Sequence, residues 1–392
     1  LAGCVVGPEY ERPELEDVGG QYDRPGAFTD EARAEYVAWW WSFEDPALSQ
    51  LVAMAQAENL ELAMAQSRVA QARAETKAAR SRIWPAINAG SGISRQSMSE
   101  NGVFGPVVGT FVDRENTVYT GGLDASWELD FFGRVQHATQ AAQARRDAFQ
   151  YAAIDARRII AAETGWAYLN WRGAEARLRA AEREQVFREA LTGLSRARVE
   201  TGTLSESSLL ITLAQLERLR SRIASLRSER DAAVLTLATL TSSTPETVRD
   251  RLRAAPDRPP QTTAPLAAGL PSDLLDRRPD LRAAEAQLQA ATAELGVRTA
   301  DLYPRFILVG SLGQESVRLG DLARRASLAW GVGPDISLPI FNAGRLQGLR
   351  DVQRERVHES ATNYRDQALR AVREVELALV RLTEARHSQD AL

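Results

Sequence analysis

One cysteine, one lysine, three histidines and three methionines are all that this 392-residue chain has of those types. The single cysteine, Cys4, excludes an internal disulfide and any cysteine-rich metal cluster. His137, His358 and His387 are scattered over helix-forming sequence, with no HExxH or GxSxG motif beside them, so neither a zinc-protease site nor a nucleophile elbow is written here. A lone histidine on a helix rich in Arg and Glu is expected to be a solvated side chain, and the dispersed histidines and methionines form no metal relay. The chain therefore reads as a non-enzyme with no metal site. It has no run of 18 apolar residues and a mean hydropathy of -0.30, which excludes a membrane-spanning helix. A bilayer could be met only through a lipid or a barrel. A net charge of -4 and no basic, aromatic-interleaved patch exclude nucleic acid as a partner. Arginine carries almost all the positive charge, Lys77 being the one lysine.

What is present suits a folded body: 44% hydrophobic and 26% charged residues are ordinary for one. Cys4 follows Leu1-Ala2-Gly3, the small-residue approach that ends a secretory signal in bacterial lipoprotein precursors. A thiol there can take a diacylglyceryl group as a thioether, each buried methylene adding about 0.8 kcal/mol of membrane affinity. On four residues alone, an incidental cysteine near a chain end is an equal reading.

Residues 119–134 align with 330–345 without a gap, matching Gly122 to Gly333, Asp124 to Asp335, Ser126 to Ser337, Gly133 to Gly344 and Arg134 to Arg345. Upstream, a helical stretch ends in Trp84-Pro85 in one copy and Tyr303-Pro304 in the other. The pattern predicts an internal tandem repeat. In the first copy Tyr119, Leu123, Ala125, Trp127 and Leu129 alternate with Thr120, Gly122, Asp124, Ser126 and Glu128. In the second, Leu328, Trp330, Val332, Ile336, Leu338 and Ile340 alternate with Ala329, Gly331, Gly333, Asp335 and Ser337. A period of two predicts strands with one greasy face and one small or polar face. About ten residues of such alternation, bearing aromatics, fit a transmembrane β-barrel, with Asp124, Ser126, Asp335 and Ser337 facing its lumen. A half-buried strand of a soluble sheet is the alternative that single strands leave open. With the segments after Pro85 and Pro304, about four strands are predicted. Four cannot close a barrel, and open edges in a membrane cost several kcal/mol per unpaired group, so copies of the chain are expected to share one barrel.

From Arg134 to Thr201 no proline appears, and Ala, Leu, Arg, Glu and Gln are dense. One continuous helix there would reach on the order of 100 Å at 1.5 Å per residue. Beyond the break at Thr201 to Leu204, Ser205 can cap a second helix, whose Leu209, Leu213, Leu216, Ile223 and Leu226 keep coiled-coil spacing. The expected layout is an N-terminal extension over 1–45 and a first repeat over 46–241, comprising a helix, strands at 86–98 and 117–130 and a helical hairpin at 134–241. A proline-bearing linker over 242–273 leads to a second repeat over 274–392, with a helix, strands at 305–317 and 326–341 and a long helix. Leu392 stands opposite Ala181 of the first repeat, so the partner of the hairpin at 182–241 is missing and the sequence is expected to be a fragment.

Several segments resemble one family. Cys4 through Val6-Gly7-Pro8-Glu9-Tyr10 to Pro13, the WWWSFEDPALSQL of Trp39–Leu51, the SWELDFFGR of Ser126–Arg134 and the LPSDLLDRRPDLRAAEAQL of Leu270–Leu288 are similar to signatures of the TolC-like outer membrane efflux proteins, specifically their OprM-like or NodT-type lipoproteins. The resemblance implies a membrane α+β fold. In it, a homotrimer forms a 12-stranded transmembrane β-barrel, four strands per chain, continued by a long periplasmic α-helical coiled-coil barrel. It implies a passive exit duct of a tripartite efflux system, partnered by an inner-membrane transporter and a periplasmic adaptor, and anchored in the outer membrane by diacylglyceryl and N-acyl groups on Cys4 with no other cofactor. Arg198, Gly202 and Ser205 match the family's RxxxGxxS turn, which adaptors engage, with Thr201, Thr203 and Leu204 inside it. Where that motif continues to an acidic residue, this chain has Ser208, with Glu206 nearby. Local sequence alone describes that turn as an ordinary hairpin connection. The rival readings are a type I secretion duct, whose members generally lack the lipoprotein opening, and a periplasmic coiled-coil scaffold or adaptor, which needs neither membrane-type strands nor a lipobox.

Overall fold

Asp45 and Pro46 begin the first helix. Asp45 Oδ1 accepts from the amides of Ala47 and Leu48 at 3.0 and 3.2 Å, and Pro46, having no N–H to satisfy, occupies the first turn. In the computed structural model, which describes residues 5–15, 36–99, 101, 103, 107–108, 111, 113–256, 260–261 and 277–390, α1 spans Pro46–Glu58 and α2 Leu60–Ser81. Strands β1 (Ala86–Ser97) and β2 (Glu115–Leu129) precede the 67-residue α3 (Arg134–Glu200), then α4 (Glu206–Leu240) and α5 (Pro245–Arg253). Helix α6 (Pro279–Ala300), strands β3 (Arg305–Ser316) and β4 (Leu328–Ser337) and helix α7 (Arg345–Asp390) complete the order. The described residues are thus mostly helical, with one four-stranded antiparallel sheet among them in the order β1-β2-β3-β4. No helix among the described residues is long and apolar enough to cross a membrane.

The chain forms two units, and α3 and α7 contribute residues to both. One holds the sheet, α6 and residues 5–15; within it Thr76 Oγ1 donates to Ala142 O at 3.1 Å and Gln353 Nε2 to Ala291 O at 3.1 Å. The other is built on a core of Leu48, Leu51, Tyr168, Leu237, Val248 and Leu252. Each such aliphatic side chain contributes about 1.5–3 kcal/mol by leaving water. Helix α5 lies inside the span read as a linker. Thr244 caps it, accepting from Thr247 N at 3.3 Å, Pro245 opens it, and Val248 and Leu252 enter that core. Buried Asn59 joins three helix ends: its Oδ1 accepts from Glu61 and Leu62 at the start of α2, and its Nδ2 donates to Leu240 O at 2.9 Å.

Candidate functional site

Apart from Cys4, the residues singled out by the sequence fall in two regions: the sheet and the turn between α3 and α4. In the sheet, register decides which side chains share a face. Asp124 pairs with Asn88 on β1 and Ser311 on β3, Ser126 with Ala86 and Val309, Asp335 with Ile307 and Ser337 with Arg305. Since strand partners point the same way, Asp124, Ser126, Asp335 and Ser337 lie on one face, together with Gly90, Gly122, Gly313 and Gly333. The opposite face carries Ile87, Ile93, Leu123, Leu312, Trp330, Val332 and Ile336, all exposed, with Trp330 at 73% and Val332 at 68%. On the small face β2 and β3 come close: a Cβ on Gly122 would stand 2.6 Å from Gly313 Cα. Paired glycines there let the sheet curve without side-chain collision.

The β2-to-α3 junction locks the end of this sheet. Glu128 accepts both Nε and Nη2 of Arg134, the former at 2.7 Å. Asp130 Oδ2 accepts from Gln136 N at 2.7 Å, which places a carboxylate at the positive end of α3. Phe131 meets Phe306 edge-on with ring centres 5.0 Å apart, Phe132 lies 4.9 Å from Tyr303, and Trp127 Nε1 donates to Ile83 O at 2.9 Å. Aromatic rings therefore collect where strands give way to helices.

Cys4 lies outside the described residues, but the segment after it is held firmly. Val6 N donates to Phe132 O at 3.2 Å, Tyr10 OH to Glu285 Oε1 at 3.2 Å, and Arg12 pairs with Glu285 at 3.4 Å. Burial and the Glu285 carboxylate push the Tyr10 phenol well above its ordinary pKa, so it stays a donor. Here the expectation for the histidines needs correction. His137 is buried, its Nε2 donating to Val6 O at 3.0 Å and its Nδ1 3.1 Å from Gln140 Oε1. His358 and His387 are exposed. The reason is Gly7, at φ +118°, which brings the segment so near α6 that its Cβ would stand 2.8 Å from Gly296 Cα, while one on Gly296 would strike the His137 ring at 2.6 Å. Sequence carried the signal only as the Val-Gly-Pro spacing.

In the turn, Gly202 adopts φ +71°. Its N–H donates to Val199 O and that of Thr203 to Arg198 O, both at 2.9 Å, the Schellman arrangement that satisfies the last carbonyls of a helix. Leu204 N and the hydroxyls of Thr201 and Thr203 also donate to Arg198 O, at 3.2, 3.1 and 3.1 Å. Ser205 Oγ accepts from Ser208 N at 3.3 Å and so caps α4. Arg198 thus serves the turn through its carbonyl, and its side chain is exposed. Nothing crowds a Cβ on Gly202, so substitution acts through the backbone alone. Gly202→Asn is expected to be tolerated, whereas Gly202→Val should cost about 1–2 kcal/mol or more and show faster amide exchange in the turn. Equal exchange in both variants would show that the left-handed backbone is not required.

A two-faced sheet with an exposed apolar side, joined to a long helical hairpin, invites comparison with known proteins. The family of outer membrane efflux proteins matches residues 51–243 and 270–392. The chain belongs to that family. It is 29% identical over 392 residues to the outer membrane protein OprJ of Pseudomonas aeruginosa, covering 100% of this chain and 80% of OprJ. To the cation efflux system protein CusC of Escherichia coli it is 30% identical over 393 residues, covering 97% and 80% of the two chains. The structure of the outer-membrane channel OprN superposes with a TM-score of 0.86 at 30% identity, covering 99% of this chain and 85% of that one. As an outer membrane efflux protein, the chain is the outer-membrane channel component of an efflux system. The family is one of ducts rather than enzymes.

Proposed function

We propose that this efflux protein is the passive exit duct of a tripartite pump, that three copies close one 12-stranded barrel, and that Cys4 anchors each copy by diacylglyceryl and N-acyl groups. The observation that carries the reading is the sheet: four strands, two open edges at β1 and β4, one apolar exposed face and one glycine-rich face that carries Asp124, Ser126, Asp335 and Ser337. An apolar face of this size is costly in water and suited to acyl chains, and the open edges require further strands in a bilayer. Three sheets of four strands meet the even strand number of bacterial barrels. Asp124, Ser126, Asp335 and Ser337 then line the lumen. The hairpin of α3 and α4 forms part of a periplasmic helical barrel, and the turn from Arg198 to Ser205 receives an adaptor that joins the duct to an inner-membrane transporter. The order of helix, two strands and long helix, met in α2-β1-β2-α3 and again in α6-β3-β4-α7, supports descent from a tandem repeat.

Cell fractionation with lipid labelling of the full-length precursor, followed by oligomer mass in mild detergent, tests this. Labelled trimers in the outer membrane are expected. Cys4→Ser should lose the label entirely, and normal labelling of that variant would falsify the anchor assignment. A detergent-independent soluble monomer would revive the scaffold reading.

A further inference from the structure

The connection from β3 to β4, residues 317–327, carries Arg318, Arg324 and Arg325 against one carboxylate, Asp321. Asp321 pairs with Arg324 at 3.0 Å, which leaves Arg318 and Arg325 exposed and without an acidic partner. Hydrogen-bonded turns order this loop. Leu322 N donates to Leu319 O at 3.2 Å, Ser327 N to Arg324 O at 2.9 Å and Ser327 Oγ to Asp321 O at 2.8 Å. Ser316 decides the side on which the chain leaves the sheet. It shares the alternation of Leu312 and so points to the apolar face. Its Oγ donates to Arg318 O at 2.9 Å and accepts from Arg318 N at 3.1 Å, which draws the Arg318 backbone to that side. Val317 and Leu319, 60% and 63% exposed, flank Arg318.

The length of the apolar row places this loop relative to a bilayer. On β4 the exposed apolar residues run from Leu328 to Leu338. At about 3.4 Å per residue the row is about 34 Å long, or about 26 Å across a membrane at a strand tilt of about 40°. That is the height of the apolar band of such barrels, about 25 Å. The loop joins the row at Leu328, the end remote from α6 and α7, so its arginines stand where acyl chains end and headgroups begin. We propose that the 317–327 loop binds phosphate groups of lipids in the leaflet facing the exterior. The proposal rests on the barrel reading above and names the lipid chemistry taken at this end of it.

A guanidinium offers parallel N–H donors that match two phosphate oxygens. Acyl chains lying on Leu312, Leu328 and Trp330, which are 50%, 49% and 73% exposed, hold a headgroup within reach of Arg318 and Arg325, so the apolar and ionic contacts reinforce each other. Free phosphate has no such second contact. A zwitterionic headgroup brings a cation beside its phosphate, which repels the arginines. An acylated molecule bearing uncompensated phosphate fits both surfaces at once.

Native mass spectrometry of the full-length protein in mild detergent tests this, with a diphosphorylated acyl glycolipid and its dephosphorylated form as probes. The phosphorylated lipid should bind, and the dephosphorylated one about tenfold more weakly or less. Arg318→Gln with Arg325→Gln should weaken the phosphorylated lipid about tenfold or more, since each arginine near an anionic surface counts for about fivefold. Both side chains are exposed, so this variant should keep the oligomer mass and melting midpoint of the unsubstituted protein. Arg381→Gln with Arg386→Gln, exposed positions on α7, should leave lipid binding unchanged. Millimolar inorganic phosphate should not displace the lipid, and displacement would assign the site to free phosphate and overturn the lipid assignment. Oligomers whose loop variant binds as well as the unsubstituted protein, or whose α7 variant loses as much, overturn the proposal and leave the duct reading standing. A monomer that stays soluble without detergent overturns both.

Discussion

Val332→Arg is expected to abolish the assembled barrel, whereas Asp335→Arg, three residues along the same strand, should leave assembly intact. Val332 lies at the middle of β4 on the apolar face, 68% exposed and paired with Gly310. If that face meets acyl chains, an arginine there costs about 2–4 kcal/mol at the bilayer midplane. Every copy in the assembly would bear that cost. Asp335 points to the opposite, polar face, where water can solvate a guanidinium, so reversal of its charge should alter ion selectivity rather than assembly. Urea unfolding of the reconstituted protein, with the yield of oligomer in the outer-membrane fraction, measures both. Equal loss in the two variants, or none at Val332, would mean that the apolar face is covered by protein and not by lipid.

Asp45→Ala should lower stability by about 2–4 kcal/mol, combining a lost helix cap of about 1 kcal/mol with a buried hydroxyl left without a partner at about 1–3 kcal/mol. Both effects come from one carboxylate. Its Oδ1 accepts the first amides of α1, and its Oδ2 accepts from Tyr168 OH at 2.6 Å. Neither residue is reached by solvent to any extent, Asp45 being 3% and Tyr168 0% exposed. Burial, with Asp45 beside it, holds the Tyr168 phenol far above its ordinary pKa, so it remains a donor throughout the working pH range. Asp45→Asn keeps the capping oxygen and should lose less. Tyr168→Phe leaves one carboxylate oxygen unpaired, and in the double variant Asp45→Ala with Tyr168→Phe the hydroxyl penalty disappears. The two losses should therefore fall short of additivity by about 1 kcal/mol or more, read from unfolding midpoints. Additive losses would remove the hydrogen bond from the account and leave only the cap.

What the sequence determined by itself is local. The period of two in β2 and β4 assigned each residue to a face, and the proline-free run after Arg134 made one helix, because such patterns are set by neighbours within a few residues of each other. The glycine at 202 and the serine at 205 specified their turn for the same reason. Which elements meet was decided only in the tertiary structure. β2 lies beside β3 although α3, α4, α5 and α6 stand between them in the chain, Asp45 reaches Tyr168 across 123 residues, and His137 is buried because Gly7 and Gly296 let two backbones touch. The short helix α5 formed inside a proline-bearing span because a core was available to receive Val248 and Leu252. Each of these depends on the packing partner more than on the residue's own neighbours. A lone histidine or a tyrosine on a helix has the same local sequence whether it is solvated or buried, and only long-range packing distinguishes the two.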